Sequence, residues 1–179
     1  MRSLEIPATS FKSSVKLLNK RPQGRLFWCY NALMQGIPKI PYFQTSRYRV
    51  ATMVELADAK PGEKAADLGV GDGRITVAFA KAGTETHGFE IDPDLKKLAE
   101  ENIKREGLTN AYVHDQDFWQ EDLSKFDIIC CYPMPTIMGR LEKKLKEELK
   151  PGTRVLLNYF PFLHWKEKII KDNIYLYVR

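Results

Sequence analysis

Asp67-Leu68-Gly69-Val70-Gly71-Asp72-Gly73 is the stretch that decides the fold. It closes a short apolar run, residues 64–70, of the kind that makes a buried parallel strand. A helix-forming run, residues 74–81, follows at once. Glycine at every second position lets the backbone turn tightly and pass close to a ligand, and the helix beyond offers unpaired N–H groups. A dinucleotide fingerprint, GxGxxG, is not completed, because Arg74 and Ile75 follow Gly73. Asp67 and Asp72 would repel a pyrophosphate and suit a cationic ligand.

Outward from this loop, strand and helix alternate. Upstream, residues 46–59 read as a helix with Thr45 or Ser46 as its N-cap, and Pro61-Gly62 turns the chain toward the first strand. Downstream come a strand at 86–91, a helix at 93–106 after Asp92, strands at 111–115 and 126–132, a helix at 138–149 and a strand at 154–159. Residues 166–170 and 174–178 flank Lys171-Asp172-Asn173 and read as a terminal hairpin. The pattern predicts a doubly wound, Rossmann-like α/β fold. Its sheet has seven strands, mostly parallel, with a C-terminal antiparallel hairpin that adds one reversed strand at the edge. This domain is expected over residues 41–179, preceded by an arm over residues 1–40.

Two further positions answer to the loop. Glu90 ends the second strand, 17 residues after Gly73, where a surface carboxylate can accept both hydroxyls of a ribose. Glu90 and Asp92 could also merely flank a helix start. Past the third strand stand Asp117, Phe118 and Trp119. Asp117 can accept from an adenine amino group, the Phe118 N–H can face the ring, and aromatic area can cover it; Asp115 is the competing acid. An adenosine carrying positive charge satisfies all these features, and S-adenosylmethionine, with its sulfonium and ammonium, is such a ligand. His87 and His114 lie in strand patterns and read as structural.

Charge and cysteine usage narrow the class. The chain of 179 residues carries a net +5, and the excess is all in the arm. Residues 1–40 hold seven basic side chains against Glu5, a net +6, which leaves residues 41–179 at −1. A nucleic-acid enzyme spreads such charge over its catalytic face, so this distribution counts against nucleic acid. Residues 9–20 can form a basic amphipathic helix, either packed with a solvated face or facing an acidic or membrane-borne partner. Their composition is also similar to an organellar transit peptide. Cys29, Cys130 and Cys131 show no CxxC spacing and imply no metal. The compartment expected is a reducing one, cytoplasmic, with organellar or membrane-peripheral placement as the alternatives.

On these residues the chain resembles the class I methyltransferases, whose glycine-rich loop is D/E-x-G-x-G-x-G. It is more particularly similar to a small protein-lysine methyltransferase family. The likeness rests on Asp72-Gly73-Arg74-Ile75, Asp117-Phe118-Trp119, Pro133-Met134-Pro135, Leu141-Glu142-Lys143-Lys144-Leu145, Glu147-Glu148-Leu149 and Phe160-Pro161-Phe162-Leu163-His164-Trp165. Members of that family act on the adenine nucleotide translocase and on the ATP synthase c subunit in mitochondria, and it has archaeal relatives. Pro41-Tyr42-Phe43-Gln44-Thr45 resembles a Y-V-P-T loop that folds over the cofactor in those relatives, with Phe43-Gln44 in place of Val-Pro.

The resemblance implies S-adenosyl-L-methionine as cofactor, S-adenosyl-L-homocysteine as product and a protein substrate with an accessible lysine. It makes Tyr42, Thr45, Asp67, Gly69, Gly71, Gly73, Glu90, Asp117 and Phe118 the candidate cofactor contacts. Tyr132, Pro133 and Tyr159 are the candidate catalytic positions, at the ends of the fourth and fifth strands, where such folds open. Tyr159, Phe160, Phe162, Trp165 and Tyr132 could line an aromatic mouth, with Phe162 the one best read as core. The fourth strand ends Cys130-Cys131-Tyr132-Pro133-Met134-Pro135, without the N-P-P-Y tetrad of amide and base methyltransferases. The rivals are an RNA or small-molecule methyltransferase, and a non-catalytic module that keeps the cofactor site.

Overall fold

A computed structural model of the chain describes residues 42–179. The helix expected at 9–20, the apolar segment at 26–34 and Cys29 lie outside the described residues. Strand β1 (Lys64–Leu68) sits at the centre of a seven-stranded sheet, buried along all but its first residue. It pairs in parallel with β2 (Glu85–Glu90) on one side and β4 (Ile128–Cys131) on the other. Strand β3 (Ala111–Asp115) extends the sheet beyond β2, and β5 (Arg154–Asn158) extends it beyond β4, both parallel. Order therefore reverses at β1, and the crevice between the carboxyl ends of β1 and β4 is the switch point where such sheets take ligands.

The hairpin forms as expected, but its reversed strand is not at the edge. Strand β7 (Ile174–Val178) lies antiparallel against β5, and β6 (Ile169–Lys171) pairs only with β7 and forms the edge. Burial explains the placement: Ile174 to Tyr177 are all buried, whereas β6 is exposed at every residue. The apolar strand takes the inside position and the shorter one shields it. Asp172 and Asn173 make the two-residue turn with φ of 54° and 61°, the left-handed pair that suits a tight hairpin.

Helices cover both faces. Helices α1 (Arg47–Ala57) and α2 (Arg74–Lys81) bury Val50, Met53, Ile75 and Phe79 against Ala65, Ile128 and Leu156. On the opposite face α4 (Met138–Glu148) sets Leu141 and Leu145 against Leu68, Ile129, Val155 and Leu157, with Phe162 and Tyr177 closing the cluster. Phe162 is core, as expected. Ser46 caps α1 through Arg49 N, and Asp92 caps α3 (Pro93–Arg105) through the amides of Asp94 and Leu95. Between β3 and β4 the chain makes two short 3-10 turns, Phe118–Gln120 and Leu123–Lys125, capped by the side chains of Asp117 and Asp122. His87 and His114 stack with ring centroids 5.2 Å apart and ring nitrogens at 2.9 Å, and His87 is tied to Glu85.

Candidate functional site

The glycine-rich loop leaves β1 with three left-handed residues, Gly69, Gly71 and Gly73, at φ of 81°, 59° and 80°. The three glycines do different work. A Cβ on Gly73 would meet the Ala99 Cβ at 3.0 Å, so that glycine lets α2 and α3 approach. A Cβ on Gly69 would meet nothing within 4 Å, so that glycine faces open space at the crevice. The amides of Gly69 and Val70 both donate to Phe89 O, which fastens the loop to β2.

Glu90 is the hub of the loop. Its Oε2 accepts the Gly71 N–H at 3.0 Å, and its Oε1 accepts the amides of Ile91 and Asp92, each at 3.0 Å. The sequence reading of a surface carboxylate is corrected here: Glu90 is only 9% exposed and carries three backbone donors. A carboxylate has about four acceptor sites, so capacity for a further hydroxyl remains.

The two acids of the loop turn away from the ligand role assigned to them. Asp67, 1% exposed, spends Oδ2 on the amide and hydroxyl of Thr76 at the start of α2. Burial pushes its carboxyl up to about 7, against the opposing pull of the two Thr76 hydrogen bonds. Asp72 is paired with the Arg74 guanidinium, whose Nε lies 2.9 Å from Oδ1. The repulsion expected from Asp72 is therefore largely cancelled within the loop. Arg74 also donates to Thr45 O at 2.6 Å, and so joins the glycine loop to the segment that leads into α1.

Tyr42 is exposed, while Thr45 is buried and accepts from Asn158 Nδ2 at 3.1 Å. Asp117 Oδ1 accepts the Trp119 amide, which holds Phe118 and Trp119 as a tilted pair with ring centroids 4.7 Å apart. Asp115 is exposed at the end of β3, opposite Glu90.

At the ends of β4 and β5 the aromatic residues do meet. Tyr132 and Tyr159 stack at 5.8 Å with 16° between their planes, and Phe160 lies 6.5 Å from Tyr132 and 6.3 Å from Tyr159. Pro133 is buried beside Tyr132. Tyr159 has φ of 71°, a left-handed backbone that a bulky residue keeps only when its surroundings hold it there. Three contacts do so. Its amide donates to Asn173 O, its hydroxyl accepts from Arg49, and the Arg49 guanidinium carbon lies 4.0 Å from its ring centroid. The cation on Tyr159 is thus Arg49.

Sequence reasoning missed Arg49, Arg74 and Asn158, and it missed what α4 does. Glu142, 5% exposed, accepts the amides of Leu163 and His164. Its carboxyl lies below the usual range because Lys146 and those amides outweigh the effect of burial. Two residues along the helix, Lys144 donates to the carbonyls of Trp119 and Glu121. One helix therefore grips both the Phe118–Trp119 turn and the segment after β5. The Leu141-Glu142-Lys143-Lys144-Leu145 motif was the signal available for this.

The chain is similar in sequence and fold to known proteins. The family model described as the ANTKMT methyltransferase domain matches residues 67–169, more than half of the chain. The chain belongs to that family. The match begins at Asp67 and takes in Glu90, Asp117, Tyr132, Asn158 and Tyr159, while Tyr42, Thr45 and Arg49 precede it. Within curated proteins, the lysine N-methyltransferase of the ATP synthase c subunit from Rattus norvegicus is 34% identical over 127 residues, covering 70% of this chain and 58% of that protein. This chain thus spans little more than half of the rat protein's length. A protein-lysine N-methyltransferase of Saccharolobus islandicus is 33% identical over 156 residues, covering 81% of this chain and 97% of its own. A solved structure described as an RNA methyltransferase from Salinibacter ruber, in complex with S-adenosyl-L-homocysteine, superposes with a TM-score of 0.72. It is 32% identical and covers 76% of this chain and 93% of that one.

Proposed function

We propose that this member of the ANTKMT methyltransferase domain family uses S-adenosyl-L-methionine to methylate lysine side chains of protein. The observation that carries the reading is the Glu90 carboxylate, at the end of β2, bound to Gly71 N–H of the loop that follows β1, beside the open space over Gly69. A ribose-accepting acid, a glycine loop that admits a close ligand and an aromatic pair next to Asp117 are what an adenosine needs. The residues present fit that cofactor. Glu90 would accept a ribose hydroxyl, Asp117 and Phe118 would face its adenine, and the glycine loop would lie along it. When bound, S-adenosyl-L-methionine supplies an electrophilic methyl group on a sulfonium.

The remaining chemistry falls to this chain's own side chains. A lysine is protonated in water, with a pKa of about 10.4, and only the neutral amine is nucleophilic. Tyr132, Tyr159 and Phe160 wall the acceptor end with aromatic surface, which removes water from an ammonium and favours its loss of a proton. Arg49, fixed on Tyr159, adds a like charge that works in the same direction. The helix α4 clamps hold the two ligand-facing segments at a set spacing, so positioning supplies much of the rate.

Relatives named as lysine methyltransferases support the protein acceptor. The Salinibacter relative, described as acting on RNA, is the specific ground for a second reading. The net charge of −1 over residues 41–179 weighs against it, as does the end of β4, which lacks N-P-P-Y. Labelled S-adenosyl-L-methionine offered with a panel of basic proteins and with total RNA separates the two. Mass spectrometry is expected to find methyl-lysine, and methylated nucleotides as the main product would overturn the protein reading.

A further inference from the structure

Among the described residues, one buried side-chain polar atom has no hydrogen-bond partner, and it lies at the acceptor end. It is Asn158 Oδ1. Asn158 ends β5, is 0% exposed, and follows Val155, Leu156 and Leu157, which are fully buried in the apolar core. A polar group at that point costs stability unless it is satisfied, and native folds leave few such groups orphaned without a use. Its Nδ2 is committed to Thr45 Oγ1, so the amide is held in place with its oxygen unspent.

The sheet register gives the location. Leu68 pairs with Cys131, and Cys131 with Leu157. Gly69, Tyr132 and Asn158 are the residues that follow these three in the chain, so all three stand at the carboxyl end of the sheet. Tyr159, the residue that Arg49 fixes, is next in the chain.

We propose that Asn158 Oδ1 receives an N–H of the acceptor amine. This deepens the lysine-methylation reading and rests on it. A neutral amine has two hydrogens and one lone pair. A fixed acceptor that takes a hydrogen determines where the lone pair points, which an in-line transfer requires. An uncharged amide suits this role, because a carboxylate in its place would stabilise the ammonium and hold the amine in its unreactive form. The oxygen is covered in this state, so the amine reaches it once a covering neighbour moves aside while Thr45 keeps the amide in place. Arg74 ties Thr45 O to the glycine loop, so this anchor is coupled to the cofactor side.

The test uses the full chain loaded with S-adenosyl-L-homocysteine and reads the Asn158 side-chain amide by NMR. The probes are n-butylamine, which carries N–H, and tetramethylammonium, which does not. A saturable shift with butylamine above about pH 9, where the neutral amine becomes available, is expected, and none with tetramethylammonium. No shift with butylamine, or equal shifts with both, overturns the proposal, whatever the protein is found to methylate. Conversely, a butylamine shift in a protein that methylates only RNA defeats the lysine reading and leaves the amine site standing. Kinetics give the second arm. Asn158→Leu is expected to lower kcat/KM at least about tenfold while its cofactor Kd stays within about threefold of the parent. A parallel loss of cofactor affinity would assign the oxygen to the cofactor's own amino group and overturn the proposal. Asn158→Asp, should Asn158→Leu fail to fold, is expected to move the rising limb of the pH–kcat/KM profile up by about one unit, and an unmoved limb counts against the role.

Discussion

The cofactor half and the acceptor half of this site are built in opposite ways. On the cofactor side the decisive contacts are short in sequence. Gly71 and Glu90 are 19 residues apart, and Asp67 and Thr76 are nine apart. On the acceptor side they are long: Arg49 reaches Tyr159 across 110 residues, and Asn158 reaches Thr45 across 113. A local loop can be specified by the residue types within it. A wall made by docking α1 and a hairpin turn onto the end of β5 needs the whole sheet in place first. Arg74 is the joint, with one side of its guanidinium on Asp72 and the other on Thr45 O.

The sharpest blow to the cofactor half is Glu90→Ala. Three backbone N–H groups lose their acceptor, so the variant is expected to lose about 1–3 kcal/mol of stability as well as more than about 100-fold in cofactor affinity. Denaturant unfolding and calorimetry check the two parts. An unchanged unfolding midpoint would mean that Glu90 does not hold the loop.

Next in size is Arg49→Met on the acceptor side. It removes the cation from Tyr159 and a donor from its hydroxyl, so the strained Tyr159 corner loosens. About a tenfold fall in kcat/KM is expected, with cofactor Kd within about twofold. A comparable fall in cofactor affinity would erase the division between the halves.

Asp67 gives a pH signature. Its carboxyl ionises near 3.8 in the unfolded chain and near 7 in the fold, so between those values the fold binds the extra proton. Its contribution to stability is whole below about pH 4 and is lost as pH rises through about 7. Asp67→Asn should flatten that part of the stability–pH curve of the cofactor-free protein, and an unaltered slope would place the effect elsewhere.

Smallest is the effect of removing residues 1–24. The +6 on residues 1–40 suits recruitment of an acidic or membrane-borne partner. A few-fold loss of turnover on the native target is expected, shrinking as salt rises, with cofactor Kd unchanged. A truncated protein that melts sharply lower would make the arm part of the folded core instead.

The same division explains what the sequence could and could not disclose. The alternation of apolar runs with Gly and Pro marked all seven strands, because each element obeys a local period. The position of β7 inside β6 was not legible, since it depends on which hairpin strand buries more surface against β5. Glu90 could be found from its spacing to Gly73, whereas its three backbone bonds could not, because they depend on how the loop folds back. Asn158 left a faint mark, a polar residue closing the run Val155-Leu156-Leu157. Arg49 left none, since nothing in a helix written Arg47-Tyr48-Arg49 tells which arginine meets an aromatic ring 110 residues away.

Glu90→Gln tests the central claim, because glutamine keeps the shape and an acceptor for Gly71 while giving up the charge and turning an NH2 donor toward the amides of Ile91 and Asp92. Calorimetric titration of S-adenosyl-L-methionine into this variant is expected to show binding at least about 30-fold weaker than the parent, or about 2 kcal/mol. Binding within about threefold of the parent would contradict the placement of the cofactor over the ends of β1 and β2, against Glu90.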